Sequence, residues 1–516
     1  MPSRMFWFLC PLLLLVPTAQ LSGQQADKGS LRFAGVFANN MVLQQQADAP
    51  IWGFAKPGQL VTVQTSWSKK VSKAKADADG KWKTTIKTPA AVARDTASGG
   101  KYAVEIRTND QSQRINNVLI GEVWICSGQS NMQWKMRGFG KKHFAEDVAK
   151  AKDPQIRLCQ VPQDIALQPQ DDVKPQWVPC TSRSVLAFSA VAYFFGHRLR
   201  QELDVPIGLI STNWGGSSCE AWMSQQELVR KFPEFNGTLD SYGQAIKKHG
   251  VVLARGKSKP KGFNQQMPSV LYNKMIHPLI PLSVRGVVWY QGEANIKRPL
   301  QYRQLFPELI KGWRQEWGQG DFPFYFVQIA PFHYQTNELP AALLREAQFQ
   351  TLEIPNTGMV VTMDIGDPES IHPKQKKPVG ERLALLALNR TYGRTDLVDS
   401  GPLYNGYEVE SKKIRLKFKH TGSGLATRDG KAISHFTVAG KDRVFHPAVA
   451  EIKNDTVLVG SPEVARPVAV RYGWGNADEP NLMNKEGLPA SSFRTDDWEI
   501  LPSKPARNPR RRRGKK

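Results

Sequence analysis

The sequence predicts an α/β protein: a parallel sheet with helices on both faces, plus N-terminal and C-terminal β-rich, sandwich-like regions. Three observations carry the architecture. Residues 30–118 break into short apolar runs separated by Gly, Asn, Asp and Pro turns. Between 119 and 395, apolar strands such as VPIGLIS and VRGVVWY alternate with stretches of helical period. From 396 to 500 the period returns to two, as in KKIRLKF and PVAVRYGW. A chain of 516 residues also exceeds what one hydrophobic core organises, so two or three units are expected.

Taken in order, residues 1–23 have the features of a signal peptide. Arg4 supplies positive charge, Met5 to Val16 is almost wholly apolar, and Pro17-Thr18-Ala19 offers small residues near a cleavage point. That run is short for a membrane span, so export to the periplasm or the medium is expected, with no stable membrane insertion. LRFAGVF, MVLQQ, APIWGFA, QLVTVQTSW, WKTTIKT and KYAVEIRT read as the strands of a small sandwich. In the middle region, FSAVAYFFGHRLRQEL reads as a helix that contains His197. A second helix ends at Trp317 and turns Leu305, Phe306, Leu309, Ile310 and Trp313 to one side. In such a sheet, ligands sit near the carboxyl ends of the strands.

Beyond the signal, Cys126, Cys159, Cys180 and Cys219 could form up to two disulfides in an exported chain. Their wide, irregular spacing is a poor match to a zinc site. The formal charge of +24 invites a nucleic-acid reading, but no zinc finger, helix-turn-helix or single-strand-binding pattern accompanies it. Seven of those charges lie in the tail RNPRRRRGKK. That tail, within a disordered stretch expected over 501–516, could contact an anionic surface.

Four segments carry candidate chemistry. WICSGQSNM ends an apolar strand on Ser130, whose hydroxyl needs a base to become a nucleophile and donors for the oxyanion that its attack creates. STNWGGSSCEAW offers close-approaching backbone N–H groups at Gly215 and Gly216. VVWYQGEAN places Gln291 and Glu293 after a strand, and VVTMDIGDPESIHP brings His372 into a loop dense in carboxylates. Among nine histidines His372 is the preferred base, with His277 and His333 as other near-site candidates. Glu369, three residues earlier, or Glu293 would orient the imidazole, while Asp364 and Asp367 could brace the loop. Each segment alone could equally be a cap or a turn.

In order and spacing, GEVWICSGQSNM, LISTNWGGSSCEAW, GVVWYQGEAN, LLREAQ and MDIGDPESIHP closely resemble the sialate O-acetylesterase family, within the SGNH (GDSL-like) serine esterases. The resemblance implies Ser130 as nucleophile and His372 as base. It implies an oxyanion hole from the Ser130 N–H, Gly216 or Gly215, and the Gln291 side chain. The aspartate usual three residues before the histidine is Glu369 here, and the one usual before Ile371 is Ser370, which keeps Glu293 in contention. Arg345 in LLREAQ looks like a pocket residue, a substrate-binding or a structural contact, and Trp214 a substrate-binding one; Trp134, Trp222 and Trp289, like Trp214, could stack on sugars or fill the core. The implied reaction is hydrolysis of O-acetyl esters on sialic acid, or on xylan or another acetylated polysaccharide, with no metal or organic cofactor. A non-catalytic carbohydrate-binding scaffold and a lipase or peptidase with the same triad logic are the competing readings.

Overall fold

The computed structural model describes residues 30–92, 102–138, 143–251, 262–334 and 340–499. The expected signal peptide and basic tail lie outside the described residues. The central sheet runs, edge to edge, through strands Gln176–Pro179, Ile156–Gln160, Ile207–Asn213, Ser112–Gly128, Gly286–Tyr290, Phe324–Val327 and Thr357–Val360. Neighbours are parallel throughout, except for the antiparallel edge strand Gln176–Pro179.

Both faces of this sheet are covered, which is why its strands are continuously apolar rather than alternating. Trp124, Val288, Tyr325 and Val360 pack on one face with helices Ala190–Leu203 and Lys376–Arg390. Val123, Ile125, Trp289, Phe324 and Phe326 pack on the other with helix Pro299–Trp317. Leu305, Phe306, Leu309, Ile310, Trp313 and Trp317 all lie in that buried stripe, as their spacing predicts.

The expected boundary between residues 118 and 119 falls inside a strand instead of a linker. Ser112–Gly128 is 17 residues long. Its first part pairs antiparallel with Tyr102–Arg107 in the N-terminal β region. Residues 119–121 pair with Val42–Gln44. Its last seven residues, from Glu122, pair with Ile207–Asn213, and Trp124–Gly128 pair with Gly286–Tyr290 on the other side. The apolar run VLIGEVWIC therefore serves two sheets in succession. At the C-terminal side, two four-stranded antiparallel sheets and a two-stranded ladder carry the strands from Leu403 to Arg494. They share a core that includes Leu416, Val438, Val457 and Tyr472.

Cys126, Cys159, Cys180 and Cys219 are all free and buried, so the disulfides that export would permit are not formed. No helix among the described residues is long and apolar enough to cross a membrane.

Candidate active site

Three polar segments leave the central sheet side by side. Gly128 is aligned with Asn213 on one neighbouring strand and with Tyr290 on the other. The residues that follow, Gln129-Ser130, Trp214-Gly215-Gly216 and Gln291-Gly292-Glu293, emerge together at the carboxyl edge. Consecutive strands lie on opposite sides of Ser112–Gly128, and such a switch opens a crevice between diverging loops. Gly128 makes the sharp exit possible. Its φ is +135°, and a Cβ there would stand 2.2 Å from the Tyr290 carbonyl oxygen.

Ser130 opens the short helix Ser130–Gln133. Its Oγ lies 2.8 Å from His372 Nε2. His372 comes from the loop between strand Thr357–Val360 and helix Lys376–Arg390. Ser370 Oγ accepts the His372 backbone N–H at 3.2 Å and fixes the local turn. Burial, and then the nearby Lys376 ammonium, hold the imidazole below its ordinary 6.5. The sign follows directly: the ring stays neutral, able to accept a proton, to lower pH than a free histidine. The acid limb of a His372-dependent kcat/KM profile is therefore expected to have its midpoint below 6.5, as a pH–rate series would record.

The glycines divide. The Gly215 N–H donates to Gln133 Oε1 at 2.6 Å, so it is not available to an oxyanion. What Gly215 provides is proximity, since a Cβ there would lie 3.3 Å from Ser130 Cβ. Gly216 has a φ of +72°. Neither its N–H nor that of Ser130 has an acceptor among the described residues. These two N–H groups are the uncommitted donors beside the serine.

Gln291 differs from expectation. Its Nε2 donates to Asn295 Oδ1 at 2.7 Å and to the Ser217 carbonyl at 3.3 Å, which uses both amide hydrogens. Asn295 cannot be turned round to release it, because its Oδ1 accepts from the Cys219 N–H and its Nδ2 donates to Glu220. Gln291 thus braces the loop instead of offering a donor.

Neither candidate carboxylate pairs with the imidazole. Asp367 accepts the backbone N–H of Glu369 and closes a turn that sends Glu369 outward. The Glu369 side chain is 87% exposed and stands 3.8 Å from His333 at the rim. Glu369→Gln is accordingly expected to change kcat/KM by less than about twofold, measured as acetate release, since exposed charges at this range couple weakly. Glu293 is buried and accepts from Asn131 Nδ2 at 2.6 Å. Asp364 does brace the loop's base, in a bidentate pair with Arg382.

Arg345 is not a substrate contact. It is fully buried, and its guanidinium donates to Ser492 Oγ and to the carbonyls of Gly473, Gly475 and Asn476. Trp222 and Trp289 are core residues, Trp134 is nearly so, and Trp214 is half-buried at the carboxyl edge. His277 is engaged elsewhere, its Nδ1–H donating to the Gln170 carbonyl at 2.9 Å.

Two residues at the site were not among the candidates. Asn131 and Lys376 are both buried, with Lys376 Nζ 2.5 Å from Asn131 Oδ1. A signal for Lys376 exists in the sequence. Lys376, Val379, Gly380 and Leu383 follow the one-face spacing of a helix, which puts the lysine on the inward side.

Comparison with known proteins identifies the family. Residues 120–389 match the family model described as carbohydrate esterase, sialic acid-specific acetylesterase. The chain is 33% identical to a sialate O-acetylesterase of Pongo abelii over 502 residues, 89% of this chain and 90% of that one. The Homo sapiens sialate O-acetylesterase is 33% identical over 445 residues, 79% and 80% of the two chains. Among solved structures, a carbohydrate acetylesterase from Xanthomonas citri superposes with a TM-score of 0.78 at 38% identity. That match covers 90% of this chain and 100% of the other. The chain belongs to the sialic acid-specific acetylesterase family of carbohydrate esterases.

Proposed function

We propose that the chain is a serine-dependent carbohydrate O-acetylesterase that works through an acetyl-enzyme. The observation that carries this reading is the 2.8 Å contact of Ser130 Oγ with His372 Nε2, beside two uncommitted N–H groups. His372 Nε2 takes the hydroxyl proton as Ser130 Oγ attacks the acetyl carbonyl. The Ser130 and Gly216 N–H groups then face the oxyanion of the tetrahedral intermediate. The imidazolium returns its proton to the departing sugar oxygen, leaving acetate on Ser130. Water, deprotonated by the same nitrogen, attacks that ester; collapse restores the serine and releases acetate. No step requires a metal or an organic cofactor.

This reading assigns the sugar side of the ester to a neighbouring cleft. Gln133, which holds Gly215 beside Ser130, and Asn213 help line a cleft of about 370 Å³. Gln160, Gln163, Lys135 and Lys174 add amide and ammonium groups suited to hydroxyls, beside Val161, Pro162 and Ala187. Half-buried Trp214, which packs against the core, is the indole this reading assigns to a sugar ring. The names of the relatives favour acetylated sialic acid, with acetylated xylan or another polysaccharide as the alternative. Export, and a tail that touches anionic surfaces, belong to the same proposal.

The test is acetate release by the protein and its Ser130→Ala variant from 9-O-acetylated sialic acid and acetylated xylan in parallel. Release by the wild type alone supports the reading, and the ratio of rates names the substrate. Equal release by both forms would overturn the serine assignment. No release from either substrate by folded protein would favour a carbohydrate-binding role.

A further inference from the structure

A serine–histidine pair usually has an acid on the far imidazole nitrogen, which fixes the ring's orientation. No carboxylate among the described residues lies within ion-pair distance of His372. What the site has instead is a buried bridge one residue from the serine. Asn131 Nδ2 donates to Glu293 Oε1 at 2.6 Å and to the Ile371 carbonyl at 3.1 Å. Asn131 Oδ1 accepts from Lys376 Nζ at 2.5 Å. The amide has only one workable orientation, because Lys376 can only donate and the Ile371 carbonyl can only accept.

We propose that Asn131 and Lys376 are positioning residues: with Glu293 they form a bridge that seats the His372 loop on the Ser130 turn, in place of a carboxylate on the imidazole. This rests on the assignment of Ser130 and His372 as the reacting pair. The bridge joins three of the site's chain segments at once. Asn131 belongs to the Ser130 turn, Glu293 to the loop after Tyr290, and Ile371 and Lys376 flank His372.

The groups facing the bridge define its electrostatics. Lys376 Nζ stands 5.4 Å from the Trp134 ring centroid and 5.6 Å from that of Tyr290, so aromatic faces offset part of its desolvation. Trp134 also contacts the His372 ring, at 5.9 Å between centroids. Glu293 Oε2 is buried without a partner among the described residues, with the Tyr290, Tyr302 and Tyr334 hydroxyls as its other titratable neighbours. Burial pushes the Glu293 carboxyl up and brings the Lys376 ammonium down to about 7, with Glu293 opposing the latter. His372 feels Lys376 from its own loop, while the Glu369–His333 pair at the rim stays exposed.

The role separates from a merely structural one by its pH signature. Lys376→Met removes the charge and the donor together. It is expected to lower kcat about tenfold with little change in KM, the signature of a lost transition-state contribution. It should also move the acid limb of kcat/KM to higher pH, because the imidazolium is no longer opposed by a neighbouring cation. Asn131→Ala should reproduce the fall in kcat. A limb that superimposes on the wild type in folded Lys376→Met overturns the proposal.

Should Lys376→Met fail to fold, Lys376→Gln, which keeps a donor and loses the charge, carries the test. In ¹⁵N-histidine spectra, with His372 assigned by the signal missing in His372→Gln, its ring should titrate at higher pH than in the wild type. Titration at the wild-type value overturns the proposal. If the wild type releases no acetate, the Ser130–His372 assignment falls separately, and the imidazole titration still judges the bridge.

Discussion

Ser130→Ala is expected to lower kcat/KM for acetate release by about 10⁴-fold or more, with the protein still folded. The size follows from the chemistry. Without Oγ there is no acetyl-enzyme, and only the two N–H donors and substrate binding remain to assist attack by water. The small structural cost follows from the contacts. Ser130 is half-buried, and its hydroxyl bonds only His372 among the described residues. His372→Ala should fall by a similar factor, and the double variant should be no worse than either single one, because the two residues act as a unit. Acetate-release kinetics on the three variants, with circular dichroism to confirm folding, check this. Independent, multiplying effects would break the assignment of serine and base.

Arg345→Met should be the most destabilising single change away from the reacting atoms, by about 3–5 kcal/mol. Burial lowers the guanidinium only to about 10, so it remains charged at neutral pH. Its partners are the Gly473, Gly475 and Asn476 carbonyls and Ser492 Oγ, and methionine would leave the Gly473 and Gly475 carbonyls and Ser492 Oγ without this donor. The damage should reach the site. The Asn476 carbonyl also accepts the Phe332 N–H, and the His333 N–H donates to the Pro368 carbonyl in the His372 loop. Urea unfolding should show a lower midpoint, and kcat should fall with it. An unchanged midpoint with a raised KM would return Arg345 to the substrate pocket.

The parts of the site that were legible in the sequence are those built by strands. VWICSG, GLISTN and VVWYQG are apolar runs that stop on polar knots, and parallel pairing at equal register is enough to bring their ends together. The loop partners were not legible, because spacing along the chain does not say which way a turn faces. Glu369 stands at the right interval from His372, yet the Asp367 turn directs it to solvent. Gln291 has the right chemistry, but the short helical turn Glu293–Asn295 brings Asn295 back to consume it. Arg345 looked like a pocket residue because its partners arrive some 130 residues later in the chain. Lys376 was hidden in a run of lysines whose neighbours, such as Lys377, point outward.

The strand Ser112–Gly128 has a mechanical meaning. One unbroken strand runs from the first sheet into the second, paired in turn with Tyr102–Arg107, Val42–Gln44 and Ile207–Asn213, so the N-terminal β region is a handle on the very element that ends at the serine. A chain trimmed to begin at residue 119 would lose only the handle's side of that strand on paper. In practice it would strip Leu119–Gly121 of their ladder with Val42–Gln44 and expose the buried Leu119 and Val123 to water. Pulling the two regions apart in a force experiment should therefore rupture both in one event, where a flexible tether would give two.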